Sequence, residues 1–85
     1  MNDDYYILRL PEVIKARGRS KTSHYHDIEK GLFTRPVVLG VQSVGWPENE
    51  VRALNLARIA GKTEDEIKAL VVELEARRLV LGSNP

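Results

Sequence analysis

The sequence predicts an α+β fold, mostly α, ordered α-α-β-β-α with an additional C-terminal amphipathic helix. Three observations predict it. Two short helical stretches are parted by the turn Gly18-Arg19-Ser20; two β-type runs, Pro36-Val37-Val38-Leu39 and Val44-Gly45-Trp46, flank Gly40-Val41-Gln42-Ser43; and two longer helical patterns follow Pro47 and Thr63. With 85 residues the chain has room for a single modest core. The expected organisation is a unit over residues 5–60 followed by a C-terminal helix over residues 61–81.

The first stretch, Tyr5 to Leu10, is aromatic and aliphatic; it forms either a short extended segment or an apolar pad under the first helix. Pro11 supplies a preset φ for a helix start, and Glu12 to Arg17 carries an acid early and cations late, as the helix dipole favours. Gly18 ends it. Ser20 is an N-cap for a second helix from Lys21 to Lys30, with Gly31 as its left-handed C-cap. Tyr25 and Ile28, three apart, are expected to mark the buried face of that helix.

The two β-type runs read as a hairpin, and two helices joined by a tight glycine turn ahead of it read as a helix-turn-helix with a wing. Gly40 and Gly45 are expected to shape this hairpin, since neither sits in a phosphate-loop spacing. Trp46 is assigned to the core, where a lone tryptophan beside a hairpin contributes most area. Pro47 suits the first turn of a third helix running to about Ala60, with Val51, Leu54 and Arg58 along one side and Gly61 past its end. Thr63-Glu64-Asp65-Glu66 is a capping box, and Ile67, Leu70, Val71 and Leu74 recur at i, i+3, i+4 and i+7 behind it. That stripe either packs on the third helix or meets a second copy.

Composition narrows the function. Net charge is only +1, but its distribution is uneven. Between Lys15 and Arg35 six cations face two acids, a balance of +4, and between Glu48 and Glu75 four cations face seven acids, a balance of −3. One end is suited to an anion. The absence of cysteine removes disulfides and thiolate metal sites and fits a reducing cytoplasm. The start, Met1-Asn2-Asp3-Asp4, is acidic and no apolar run is long enough to span a bilayer, so neither export nor a membrane partner is expected. No nucleophile with a base, carboxylate pair or metal-binding helix motif appears, so neither enzyme activity nor a cofactor is expected. His24 and His26 point about 200° apart on a helix and cannot share a metal; one of the two, which one being open, is expected to face the core and the other the groove of a bound nucleic acid.

The second helix inverts the usual charge order, with Lys21 near its N-terminus and Asp27 and Glu29 toward its C-terminus. Stability does not favour this, whereas an approaching nucleic acid does. Ser20, Lys21, Thr22 and Ser23 would offer backbone N–H groups, hydroxyls and an ammonium to phosphates and base edges.

Leu10-Pro11-Glu12-Val13, Gly18-Arg19-Ser20-Lys21-Thr22-Ser23-His24-Tyr25, Gly31-Leu32-Phe33, Pro36-Val37-Val38-Leu39-Gly40 and Val44-Gly45-Trp46, in this order, carry a resemblance. Over residues 7–58 the sequence resembles the AlpA family of prophage regulatory proteins. The resemblance implies a winged helix-turn-helix related to MerR and excisionase DNA-binding domains, acting as transcriptional activator or recombination directionality factor. It also implies that the helix after Ser20 reads DNA. The sequence departs from the family pattern at His24 and Asp27, where aliphatic residues are usual, and at Thr34, where proline is usual; the usual tryptophan of the third helix is absent near Leu54.

The expected partner is therefore double-stranded DNA, with Lys21, Thr22, His24 and His26 toward bases and Arg19, Ser20, Lys30 and Arg35 toward phosphates. Gln42 and Ser43 would carry the wing to the adjacent minor groove or backbone. A homodimer through the C-terminal helix, or an integrase or RNA polymerase contact, would supply further specificity. Activation of an integrase or excision gene, excisionase activity, and protein docking without DNA are the functional alternatives.

Overall fold

The computed structural model describes residues 5–83; the acidic start at residues 1–4 lies outside the described residues. The order is β1 (Ile7–Leu8), α1 (Leu10–Arg17), α2 (Lys21–Glu29), β2 (Val37–Gly40), β3 (Ser43–Pro47), α3 (Glu48–Ile59) and α4 (Glu64–Ser83). This is a mostly helical α+β fold with four helices and a small antiparallel sheet in the order β1-β3-β2. The first strand has no place in the expected order. It is two residues long and exists through its pairing of Ile7 with Pro47 and Leu8 with Trp46.

Local chemistry sets the helix ends. The Arg9 backbone N–H donates to Glu12 Oε1 at 3.0 Å, satisfying one donor at the start of α1. Gly18, at φ 67°, closes that helix, and the Arg19 N–H turns back to the Ile14 carbonyl at 3.1 Å. For α2, Ser20 Oγ accepts from the Ser23 N–H at 3.1 Å. The capping box of α4 is complete, since the Glu66 N–H donates to Thr63 Oγ1 at 3.2 Å and the Thr63 N–H to Glu66 Oε1 at 2.8 Å. These backbone and side-chain hydrogen bonds from Thr63 hold the exposed Glu66 carboxyl below its ordinary range.

In the sheet, Val37 faces Gly45 and Val38 faces Val44, and the register shifts by one before Gly40 meets Ser43. Gly45 is central to this arrangement. A Cβ there would stand 2.5 Å from Ile7 Cγ2 and 2.9 Å from the Leu8 carbonyl oxygen, so its lack of a side chain lets β1 lie against β3. Gln42 takes the left-handed φ of 60° at the hairpin turn.

The core joins every helix except the outer face of α2. Val13, Leu32, Phe33, Trp46, Val51, Leu54, Ile67, Val71 and Leu74 are buried together, and Trp46 Nε1–H donates to the Thr34 carbonyl at 2.9 Å. Ile67, Val71 and Leu74 are the inner side of α4, with Leu70 half-buried beside them. The stripe expected as a possible dimer contact is thus spent inside the chain's own core, because so short a chain needs its apolar area there. A bidentate pair fastens the far end of α4: Arg78 donates to Glu50 at 2.7 and 2.5 Å, with Glu50 buried, and to the Arg35 carbonyl at 2.7 Å. Hydrogen bonding to Glu50 outweighs burial and raises the Arg78 pKa.

Candidate nucleic-acid interface

The inner face of α2 differs from the expected one. Tyr25 is 36% exposed, and the buried positions are His24 at 0% and Asp27 at 4%. These lie three apart, on one face of the helix. The reason is a polar partner ten residues upstream. Arg17 of α1, whose side chain is 1% exposed, donates to Asp27 Oδ2 at 2.6 Å and contacts His24 Nδ1 at 2.7 Å through its other terminal nitrogen. Its guanidinium also lies 4.0 Å from the centre of the Phe33 ring.

A guanidinium has donors only, so Nδ1 is the accepting nitrogen of His24 and the ring proton sits on Nε2. Among the described residues, Nε2 has no hydrogen-bond partner. The ring is instead packed edge-on against Trp46, Phe33 and Tyr25, at centroid distances of 4.8, 5.1 and 5.3 Å. Burial and then the charge of Arg17 push the His24 pKa down to about 4, so the ring is neutral at physiological pH. His24 is therefore a core histidine and leaves the set of expected base contacts. His26 is the exposed member of the pair.

Asp27 gathers more than Arg17. Arg19 reaches its Oδ1 at 3.0 Å and Arg58, from the end of α3, its Oδ2 at 3.7 Å. Burial alone would raise the carboxyl, but the hydrogen bond and charge of Arg17, then the charges of Arg19 and Arg58, hold it below its ordinary range. The acid that runs against the dipole of α2 is thus compensated by three cations from outside the helix.

The outer face of α2 is open. Lys21, Thr22, Tyr25, His26 and Glu29, with the edge of Ile28, line a shallow surface groove along the helix. No acid occupies the first turn. Among the described residues, no side-chain hydrogen bond or ion pair engages Lys21, Thr22 or His26. Ser20 is at the head of this face as the cap, and Ser23 is half-buried behind it. Lys30 is exposed at the other end of α2. Arg35 lies beyond it, its backbone N–H donating to Glu75 Oε2 at 2.8 Å and its guanidinium 3.7 Å from Oε1, so it is drawn toward α4. Gln42, in the hairpin turn, and Ser43, the first residue of β3, do not line the groove, while Trp46 anchors the strand behind the turn against His24 and Tyr25.

Sequence reasoning missed Tyr25 as an outer-face residue and Arg58 as a neighbour of α2. The spacing of Arg58 on the Val51-Leu54 side of α3 was the available signal for the second.

Residues 6–53 match the family model described as Prophage CP4-57 regulatory protein (AlpA), more than half of the chain. The chain belongs to the AlpA family of prophage regulatory proteins. A protein of Enterobacteria phage P4 described as "Uncharacterized protein ORF88" is 44% identical to this AlpA family chain over 56 residues, which is 66% of the chain and 64% of that relative. The match thus spans less than two thirds of the phage protein. No solved structure matches the chain. The AlpA match covers α1, α2 and the whole sheet but stops inside α3, so α4 and the Arg58 end of α3 fall outside it. Among the described residues no helix is long and apolar enough to cross a membrane.

Proposed function

We propose that this AlpA family chain regulates a prophage or integrative element by binding double-stranded DNA as a winged helix-turn-helix. In this reading α1 and α2 form the two-helix unit, α2 enters the major groove, and the β2–β3 hairpin, tipped by Gln42 and Ser43, is the wing. The observation that carries it is the asymmetry of α2. Its inner face is fixed by Arg17, Asp27 and His24, while Lys21, Thr22 and His26 stand exposed on its outer face.

A helix held this way loses little further freedom on docking, which favours affinity. Lys21, Thr22, Tyr25 and His26 are the base-facing candidates; Arg19, Ser20 and Ser23 stand at the N-terminal end, where phosphates meet backbone N–H groups, and Lys30 and Arg35 flank the other end. A module this small reads a short site, so a second copy on the DNA or an integrase or polymerase partner completes its specificity. The regulatory output assigned is activation of an integrase or excision gene.

Protection mapping on DNA flanking the protein's own gene tests this, followed by titration of the protected duplex and a scrambled one at several salt concentrations. Affinity for both duplexes should fall steeply with salt. Lys21→Ala should cost discrimination between the duplexes of about 1–3 kcal/mol if the ammonium reads a base edge. Salt-independent or undetectable binding would overturn the DNA reading in favour of a protein-docking role. A strongly bent duplex with no promoter effect would move the output from activation to excision.

A further inference from the structure

The three arginines around Asp27 are unequal. Arg17 is consumed, with its side chain 1% exposed and both terminal nitrogens engaged by Asp27 and His24. Arg19 and Arg58 each reach Asp27 through one terminal nitrogen, and each leaves 38% of its side chain in solvent. Because the His24 ring is neutral, three cations share one carboxylate and the cluster carries an excess of two positive charges. Among the described residues, neither Arg19 nor Arg58 has a second acidic partner. Such crowding is unfavourable in the free protein, since the guanidiniums repel one another across a poorly solvated carboxylate. An anion at the exposed rim would relieve it.

The two rim arginines come from different elements. Arg19 immediately precedes Ser20, the cap of α2, and Arg58 is in the last turn of α3. We propose that Arg58 joins Arg19 in a phosphate-binding pair beside Asp27, gripping one phosphodiester of the duplex. Asp27 accepts a hydrogen bond from Arg19 and draws the Arg58 guanidinium inward as an ion-pair neighbour at 3.7 Å, which leaves the other donors of both toward solvent. Two planar forks side by side suit a phosphate group. The proposal rests on the DNA-binding reading above, and it gives α3 a direct role there.

The test compares wild type, Arg58→Ala, Arg58→Lys and Arg52→Ala on the protected and scrambled duplexes across salt concentrations. Arg52 is the control, being an exposed arginine of the same helix paired with Glu48. Arg58→Ala should weaken binding to both duplexes on the order of five- to tenfold and lower the salt slope by about one. Arg58→Lys should recover part of the affinity, and Arg52→Ala should match wild type. The thermal midpoint of Arg58→Ala should stay near that of wild type, since an exposed ion pair contributes little to stability. Wild-type binding that Arg58→Ala leaves intact would overturn the pair while the α2 reading stands. Absence of salt-dependent binding by the wild type would overturn both, and an equal loss in Arg52→Ala would reduce Arg58 to general surface charge.

Discussion

Glu50 and Arg78, 28 residues apart, meet in a bidentate ion pair at 2.5 and 2.7 Å that fastens the far end of α4 to the start of α3. The Glu50 side chain is 3% exposed, so its charge depends on that one partner for compensation. Removing the partner strands a buried carboxylate. Arg78→Ala should therefore cost about 2–4 kcal/mol in chemical denaturation, and the double variant Glu50→Leu with Arg78→Leu should recover most of the loss. Equal destabilisation by the double variant would show that the pair contributes shape and not charge balance.

Gly45 predicts a steric penalty. A methyl group at this position meets Ile7 at 2.5 Å and the Leu8 carbonyl oxygen at 2.9 Å, and a backbone atom cannot step aside as a flexible side chain does. Gly45→Ala should destabilise by about 1–3 kcal/mol and raise amide exchange at Leu8, which pairs with Trp46, and at Glu48, whose N–H donates to the Tyr6 carbonyl at 2.7 Å. Unchanged exchange at both amides would mean that β1 does not depend on this close approach.

Acid should loosen α2 before it unfolds the rest. The His24 pKa is about 4 in the folded chain against 6.5 in an open one, so the unfolded state binds the extra proton between those values. The stability gained from keeping the ring neutral is complete above about pH 6.5 and is lost as pH falls toward 4. The total is on the order of 3 kcal/mol. The Asp27 carboxyl, also held low, adds a loss of the same sign further into acid. In His24→Leu the slope between pH 6.5 and 4 should flatten, whatever the variant's absolute stability. A slope that persists there would assign it to other groups.

At the hairpin turn, Gln42 carries a left-handed φ of 60° that favours glycine. Gln42→Gly relieves the steric cost but enlarges the freedom of the unfolded chain, so the net gain should be up to about 1 kcal/mol. A loss of stability on this substitution would show that the Gln42 side chain contributes packing or hydrogen bonding at the turn.

Much of this architecture was legible because it rests on short-range chemistry. Ser20, Gly31 and the Thr63-Glu66 box act on neighbours within a few residues, and they mark helix ends where the structure has them. The apolar spacing of Ile67, Val71 and Leu74 likewise selected the buried side of α4. The rotation of α2 was not legible. Tyr25 looks more suited to burial than Asp27, and the order reverses only because Arg17 waits on another helix. For Tyr5 to Leu10 the choice between an extended segment and an apolar pad was undecidable for the same reason, since Ile7 and Leu8 become a strand through residues near position 47. Of the candidate site, Lys21, Thr22 and His26 are exposed on the outer face, the choice between His24 and His26 for the core needed the neighbours of α2, and Arg58 depends on a contact that no local pattern records.

The attachment of α2 by directional polar contacts has an evolutionary consequence. Lys21, Thr22 and His26 contribute nothing to the packing that holds the helix, so they are free to vary without loosening it. Under the proposed DNA-binding role, a lineage carrying this scaffold would acquire a new target by exchanging a handful of outward side chains, keeping the Arg17–Asp27 clasp as the constant part.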